Sequence, residues 1–103
     1  MKNENTKLIT IYTESILESR LIDDIEEHGA MGYTISNAKG KGSSGARAGS
    51  WEANSNIRVE IICDSSFADH FTKHLQRTYY ENYGMVAFTS DIEVLRPQKF
   101  SAQ

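Results

Sequence analysis

The stretch KLITIYTESILESRLIDDIEEHG, residues 7–29, decides the fold because it joins a strand pattern directly to a helix pattern. Residues 7–13 are rich in β-branched and aromatic side chains, which is typical of a short strand. Apolar residues then recur at every fourth position: Leu17, Leu21 and Ile25. Ser15 and Glu18 have the spacing of a capping box, and Gly29 offers the left-handed residue that ends a helix. The stretch predicts a strand followed by an amphipathic α-helix.

The rest of the chain continues in the order strand, strand, helix, strand. Residues 31–38 and 56–63 have strand composition, and the second segment alternates apolar with polar side chains. Ser65 or Ser66 opens a second helix pattern, which closes near Gly84. Its large apolar residues are again four apart: Phe67, Phe71, Leu75 and Tyr79. This spacing predicts a second amphipathic helix packed on the sheet.

Residues 85–95 form the last predicted strand, which ends before Pro97 because proline cannot donate to a strand ladder. The order βαββαβ predicts an α+β, ferredoxin-like fold, with two helices on one face of a four-stranded antiparallel sheet. We expect a single domain over residues 1–103. We expect four large apolar residues on the face of the sheet that the helices do not cover: Tyr12, Tyr33, Phe88 and Ile92. Such a face predicts oligomerisation.

Composition excludes several classes of protein. Hydrophobic residues make up 39% and charged residues 24%, which is typical of a soluble globular domain. The formal net charge of −3 argues against a broad nucleic-acid surface. Cys63 is the only cysteine, so an internal disulfide and a cysteine-based zinc site are excluded. No apolar run approaches the roughly 20 residues that cross a bilayer, and the polar N-terminus does not resemble a signal peptide, so we expect a cytoplasmic protein.

The connection between the second and third strands, residues 39–55, is longer than most ordered connections and has no apolar periodicity. Residues 40–45, GKGSSG, match the spacing of a dinucleotide-binding fingerprint. That fingerprint requires a helix after the third glycine, whereas the chain here leads into a strand. A Walker P-loop is also excluded, because Ala46 and Arg47 stand where lysine and a hydroxyl residue belong.

Two interpretations of this connection remain open. Its glycines allow backbone N–H groups to approach a phosphate, and Lys39, Lys41 and Arg47 can neutralise it. The alternative is a flexible linker in solvent, which is the usual role of Gly/Ser-rich segments. Trp51 favours docking onto a ligand or partner.

Other candidate sites are weaker. His70 and His74 have the i, i+4 spacing of a metal pair but lack an evident third ligand, so we interpret them as surface residues. Residues 23–28, DDIEEH, hold four carboxylates that we expect on a solvated helix face. The pattern contains no Ser-His-Asp or Cys-His arrangement, so we do not expect an enzyme.

The strings GYTISNAKGKG (residues 32–42) and YGMVAFTSDIEVL (residues 83–95) resemble the PII signalling proteins, and the likeness spans about residues 7–100. It is closest to the PII-like branch tied to inorganic carbon, which includes SbtB and the carboxysome-associated proteins. The resemblance implies a homotrimer with a central barrel of sheets and adenine nucleotides in three clefts between subunits. It also identifies residues 39–55 as the T-loop.

The resemblance assigns site residues one by one. Positions that match the nucleotide site of the family are Thr34, Gly40, Gly42, Glu60, Ile62 and Gly84. Arg96 aligns with a phosphate-binding arginine, while Lys41 and Arg47 match basic T-loop positions that face an anion. Met85 stands where classical members have a phosphate-binding lysine, which favours ADP or AMP over tight ATP binding. The T-loop tyrosine that classical members uridylylate is missing.

Three functional hypotheses follow. The first is a non-enzymatic sensor that binds ADP or AMP, with ATP and cyclic AMP as alternatives and bicarbonate as a co-ligand. Its T-loop would regulate a bicarbonate transporter or another carbon-concentrating component, so the membrane is involved only through that transporter. The second is a trimeric, CutA-like metal-binding protein that uses His70 and His74. The third is a phosphoryl-transfer or hydrolytic enzyme that uses Lys41 and Arg47.

Overall fold

The structure is a computed structural model that describes residues 5–30, 32–40 and 55–96. Within these residues, two α-helices and four strands follow the predicted βαββαβ order. The strands are β1 (Thr6–Glu14), β2 (Thr34–Ala38), β3 (Asn56–Asp64) and β4 (Val86–Asp91). The helices are α1 (Glu18–Glu27) and α2 (Ser65–Thr78), and a short 3₁₀ helix, Ser15–Leu17, precedes α1. The predicted fold class is confirmed.

The sheet has the strand order β2-β3-β1-β4, and all neighbouring strands are antiparallel. β1 and β3 are the central pair, with Ile9 opposite Ile61 and Ile11 opposite Val59. β2 and β4 are therefore the two edges of the sheet. The segments before β4 and after β2 therefore lie at the same end of the sheet but at opposite edges.

The hydrophobic core lies between the sheet and the two helices. Its completely or almost completely buried members are Ile9, Ile11, Leu17, Leu21, Ile25, Ile57, Val59, Ile61, Phe71, Leu75 and Tyr79. These are the period-two positions of the central strands and the period-four positions of the helices. Burial of each large apolar side chain contributes about 1.5–3 kcal/mol, so the packing of this stripe holds the helices on the sheet.

The predicted capping box at the start of α1 is wrong. No side chain caps the 3₁₀ turn or α1, and the N-cap position of α1 is Leu17. The Ser15 N–H instead donates to the Ser55 carbonyl oxygen at 2.7 Å. Because the chain leaves β1 through a 3₁₀ turn tied to the start of β3, Ser15 lies inside the turn.

The end of α1 confirms the predicted role of Gly29. Its φ of +86° is the left-handed conformation that glycine adopts without strain. The Ala30 N–H donates to the Ile25 carbonyl at 3.2 Å, and the Gly29 N–H donates to the Glu26 carbonyl at 3.1 Å. This pair of bonds is the Schellman motif, and it satisfies two carbonyl groups at the helix end.

Helix α2 begins and ends earlier than predicted. Its N-cap is Asp64, whose carboxylate accepts the Phe67 N–H at 2.8 Å, so neither serine caps it. The helix ends at Thr78, and a turn follows in which the Tyr83 N–H donates to the Tyr79 carbonyl at 3.0 Å. A carboxylate beside the first-turn N–H groups is the stronger cap because it also favours the positive end of the helix dipole.

Two strands are shorter than predicted. β2 begins at Thr34 and β4 covers only Val86–Asp91, although the Ile92 N–H still donates to the Thr6 carbonyl at 3.3 Å. Strand composition extended the predictions into residues that have no partner strand in the described part of the chain. Pro97 lies outside the described residues.

The face of the sheet opposite the helices carries exposed apolar side chains. Two of the four residues predicted for this face, Tyr12 and Phe88, lie on it. Tyr12 and Phe88 are 39% and 48% exposed, and their ring centroids are 6.5 Å apart. Val86, which the sequence analysis did not single out, is 60% exposed beside them. Tyr33 and Ile92 lie just outside the strands, so the apolar patch is formed by β1 and β4.

No helix within residues 5–30, 32–40 and 55–96 is long and apolar enough to cross a membrane.

Candidate functional site

The first group of predicted site residues lies at the β2 edge of the sheet. Thr34 is directly opposite Glu60 in the β2–β3 register. Ile62 lies two residues further along β3 and therefore faces the same side as Glu60, away from the helices. Thr34 is exposed, whereas Glu60 and Ile62 are half-buried. The structure thus brings a hydroxyl, a carboxylate and an apolar side chain together on one accessible surface.

Gly40 follows two residues after the end of β2 and is exposed. Among the described residues, no atom would lie within 4 Å of a Cβ at Gly40, so they leave the space around this backbone open. Lys41, Gly42 and Arg47 lie outside the described residues. Their predicted roles stay predictions.

The second group lies at the β4 edge. Gly84 is buried just before β4, while Arg96 is exposed beyond the far end of the same strand. β2 and β4 are separated by the two central strands, so the two edges lie about 14 Å apart, or three strand spacings. Thr34 is level with Phe88 in the register, and Gly84 lies four residues before Phe88, so Thr34 and Gly84 are further apart than the two edges. The structure does not bring the two groups together within one chain.

Gly84 is held from both sides by side chains at the end of β1. Its N–H donates to the Glu14 carboxylate oxygen Oε2 at 2.9 Å, and its carbonyl oxygen accepts from the Thr13 hydroxyl at 3.3 Å. Thr13 is completely buried and Glu14 half-buried. A carboxylate that accepts a backbone N–H makes a charge-assisted hydrogen bond. The arrangement shows that this N–H can hold an anionic oxygen.

Asn56 lies beside this contact at the start of β3. It is opposite Glu14 in the β1–β3 register and opposite Ala38 in the β2–β3 register. The residue is only 5% exposed, and its Oδ1 has no hydrogen-bond partner in the described part of the chain. Most buried polar atoms have a hydrogen-bond partner. The Asn56 side-chain oxygen, at the base of the 39–55 connection, is therefore an exception among the described residues.

A second polar cluster lies between the two helices, on the other side of the molecule from the open face. The Tyr79 hydroxyl donates to Asp24 Oδ2, and His74 Nε2 lies 3.0 Å from the same oxygen. Burial, and then the hydrogen bond to the carboxylate, raise the pKa of Tyr79 above its ordinary value. The Arg20 guanidinium lies 5.1 Å from the centre of the Tyr79 ring. The cluster ties α1 to the end of α2.

This cluster corrects two predictions. Asp24 is not part of a fully solvated face, because its side chain is only 19% exposed and accepts a hydrogen bond from a buried tyrosine. His74 is not a surface residue either, since its side chain is 20% exposed and paired with Asp24. Helical periodicity places Asp24 one position before the buried Ile25 and could not show that a residue on another helix reaches it.

The histidines do not form the metal pair of the alternative, CutA-like hypothesis. His70 Nδ1 lies 3.0 Å from the Ser66 carbonyl of its own helix, while His74 turns towards α1. The ring of His74 is 4.7 Å from that of His28, whose Nδ1 lies 2.8 Å from the Asp24 carbonyl. Among the residues that the structure describes, no group of three or more His, Cys, Asp and Glu side chains is arranged to hold a metal ion.

Cys63 is buried and belongs to the core. Burial, together with the charge of Asp64, raises the pKa of its thiol to about 12. A thiol that stays protonated is a poor nucleophile, so this arrangement offers no activated cysteine.

Sequence reasoning missed Glu14 and Asn56 as candidate site residues. Glu14 ends one strand pattern and Asn56 begins another, and strand ends near a long connection are a usual place for functional residues. That position was the available signal. No sequence signal indicated the contact between Glu14 and Gly84, because these residues lie 70 positions apart.

Comparisons with known proteins agree with the fold. The family model described as nitrogen regulatory protein P-II matches residues 6–99. The chain is similar to a PII-like signalling protein from Thermus thermophilus, with 40% identity over 92% of this chain and 94% of that one, and a TM-score of 0.77.

Structures of CPII, a nitrogen regulatory PII-like protein from Thiomonas intermedia, are also similar. The form bound to ADP, AMP and bicarbonate is 27% identical over 94% of each chain, with a TM-score of 0.78. The form bound to ADP and bicarbonate is 28% identical over 92% of this chain and 93% of that one, with a TM-score of 0.77.

Proposed function

Because the chain belongs to the nitrogen regulatory P-II family, we propose that it is a non-enzymatic sensor of adenine nucleotides and bicarbonate. ADP and AMP are the first candidates, with ATP and cyclic AMP as alternatives. The observation that carries the proposal is the similarity, over more than 90% of both chains, to CPII bound to ADP and bicarbonate.

The distribution of the candidate residues supports a nucleotide site between subunits. Thr34 and Glu60 lie at the β2 edge, and Gly84 lies just before β4 at the opposite edge, about 14 Å across the sheet and four residues further along it. One nucleotide contacts both groups if the β2 edge of one subunit approaches the β4 edge of the next. A homotrimer with its sheets turned inward provides that approach and also buries the apolar patch of Tyr12 and Phe88.

The chemistry of each group fits one part of a nucleotide. The Glu60 carboxylate and the Thr34 hydroxyl suit the hydrogen-bonding groups of a base or a sugar, and Ile62 offers an apolar contact to the base. The Gly84 N–H suits a phosphate oxygen, as its bond to a carboxylate illustrates. Lys41 and Arg47 would complete phosphate binding as charged donors.

The T-loop, residues 39–55, would transmit the signal. Binding of a nucleotide and bicarbonate at its base would order it for docking on a bicarbonate transporter or another carbon-concentrating component in the cytoplasm. We propose this partner because the sequence resembles the PII-like branch of SbtB and the carboxysome-associated proteins. A metal-binding function of the CutA kind finds no support in His70 and His74, which point in different directions.

Isothermal titration calorimetry tests the ligand directly. ADP, AMP, ATP and cyclic AMP are titrated with and without bicarbonate, and sedimentation equilibrium gives the molecular mass. We expect ADP or AMP to bind at one site per subunit in a trimer, and replacement of Glu60 by alanine to weaken binding about tenfold. Glu93→Ala is the matched control, because Glu93 is exposed beyond β4. No binding of any nucleotide, or a monomeric mass, would refute the proposal.

A further inference from the structure

The contact between Glu14 and Gly84 places a carboxylate on a backbone N–H group that an anionic ligand would also use. Glu14 Oε2 accepts the Gly84 N–H at 2.9 Å. A backbone amide has one hydrogen to donate. A phosphate oxygen and the Glu14 carboxylate therefore compete for it.

We propose that Glu14 is an internal competitor for the anionic ligand: its carboxylate holds the Gly84 N–H in the free chain and leaves when a phosphate oxygen takes its place. The inference rests on the proposed function, since it assigns a regulatory residue to the same site. A nucleoside diphosphate is the class of ligand concerned.

The geometry around Gly84 favours exchange of one anion for another rather than rearrangement of the backbone. The carbonyl of Gly84 accepts from Thr13, which is completely buried, so the glycine stays in position when Glu14 leaves. Glu14 itself is the last residue of β1 and only half-buried, and its side chain rotates about three bonds. The moving part is one side chain at a strand end.

Electrostatics favour the exchange. A carboxylate that remained beside the bound phosphate would face a like charge in a half-buried environment, where repulsion is stronger than in water. Ligand binding at Gly84 thus includes the work of displacing Glu14. This lowers the affinity and sets the ligand concentration at which the site fills.

Asn56 supplies a second observation at this end of the sheet, within the residues that the structure describes. It lies directly opposite Glu14 on β3, is 5% exposed, and its Oδ1 has no partner within the described ranges. A buried acceptor of this kind is expected where a ligand or a neighbouring subunit supplies the donor. The displaced carboxylate and the unused amide oxygen belong to the same strand-end surface.

The test compares Glu14→Gln with Glu18→Gln. Both changes remove one negative charge, but Glu18 is exposed on the first turn of α1. ADP binding is measured by isothermal titration calorimetry at constant ionic strength. We expect Glu14→Gln to bind ADP about five- to tenfold more tightly than the wild type, because a neutral amide competes less well for the N–H and does not repel phosphate. We expect Glu18→Gln to change the affinity less than about twofold.

An NMR titration gives an independent readout. In ¹H–¹⁵N spectra, the Gly84 amide signal of the free Glu14→Gln variant should differ from that of the wild type, and the two should converge when ADP is saturating. If circular dichroism shows that Glu14→Gln is unfolded, Glu14→Ala takes its place with the same expectation.

The outcomes separate this inference from the proposed function. If the wild type does not bind ADP, AMP, ATP or cyclic AMP, the proposed function fails. If the wild type binds ADP but the Glu14 variant binds it equally or more weakly, the competitor role is wrong while the proposed function stands. Tighter binding of the Glu14 variant, with no such gain in Glu18→Gln, supports the inference.

Discussion

Replacement of Tyr79 by phenylalanine removes one buried hydrogen bond and leaves the packing of the ring in place. The ring is completely buried and packs at 6.0 Å from Tyr83 and 6.1 Å from His74, as measured between ring centres. Phenylalanine keeps these contacts. The change in the free energy of unfolding therefore reports the hydroxyl, which donates to Asp24.

The structure sets the size of this effect. A hydrogen bond to a charged group contributes about 1.5–3 kcal/mol. After the substitution Asp24 still has His74 at 3.0 Å, and its side chain is 19% exposed to water, so the carboxylate is not left without partners. We expect a loss of about 2 kcal/mol, which corresponds to a fall in Tm of about 8 °C for a chain of this length.

The assay is urea denaturation without nucleotide, at one protein concentration for all variants, since assembly would add to apparent stability. Tyr33→Phe is the matched control, because Tyr33 is 37% exposed and its change should stay within about 0.5 kcal/mol. In an Asp24→Asn background, Tyr79→Phe should cost only about 1 kcal/mol, because the acceptor is then neutral. Asp23→Asn, at an exposed neighbour, controls for the loss of charge.

The dependence on pH has a definite sign. Burial and the bond to Asp24 raise the pKa of Tyr79, so the folded chain keeps this proton when the unfolded chain begins to lose it near pH 10. The stabilisation is complete below that pH and decreases above it, and Tyr79→Phe should lack this decrease. A Tyr79→Phe variant as stable as the wild type, or an equal loss in the Asp24→Asn background, would refute the reasoning.

Two further predictions concern single buried or strained positions. Because the pKa of the Cys63 thiol is raised to about 12, native protein at pH 8 should react with iodoacetamide at least ~10³-fold more slowly than protein unfolded in guanidinium. For the same reason, the free energy of unfolding should decrease above about pH 8.5. Comparable labelling rates of native and unfolded protein would contradict this prediction. Gly29→Ala should cost about 1 kcal/mol in urea denaturation, because its φ of +86° strains any side chain while no atom lies within 4 Å of the added Cβ. Gly32→Ala, equally open but without a positive φ, is its control, and equal stability of the two variants would show that backbone strain is not the cause.

The elements that could be predicted from sequence are those with a local signal. Alternation over residues 56–63 predicted β3, and Leu21 and Ile25 are buried where the spacing of α1 placed them. Gly29 adopts the predicted left-handed conformation. The errors concern ends of elements, such as the cap of α2 at Asp64, where several polar residues offer the same signal.

The candidate site was predictable only in part. Thr34 and Glu60 lie directly opposite each other on β2 and β3. Their assignment to a nucleotide site came from a family resemblance and not from a physical pattern, and it stays a prediction. The separation of Gly84 from Thr34 could not be predicted, because it depends on which strands form the edges of the sheet. The resemblance itself is confirmed at the level of the P-II family.

The order of strands and helices, and the apolar stripe that joins them, follow from the amino-acid sequence alone, because side-chain periodicity acts between residues a few positions apart. Only the tertiary structure decided the pairing of Asp24 with His74 and Tyr79, and of Glu14 with Gly84. These partners lie 50, 55 and 70 positions apart, so their contacts exist only after the chain has packed. Local patterns carry no information about such pairs, since the same carboxylate would be a solvated charge if the packing placed nothing beside it.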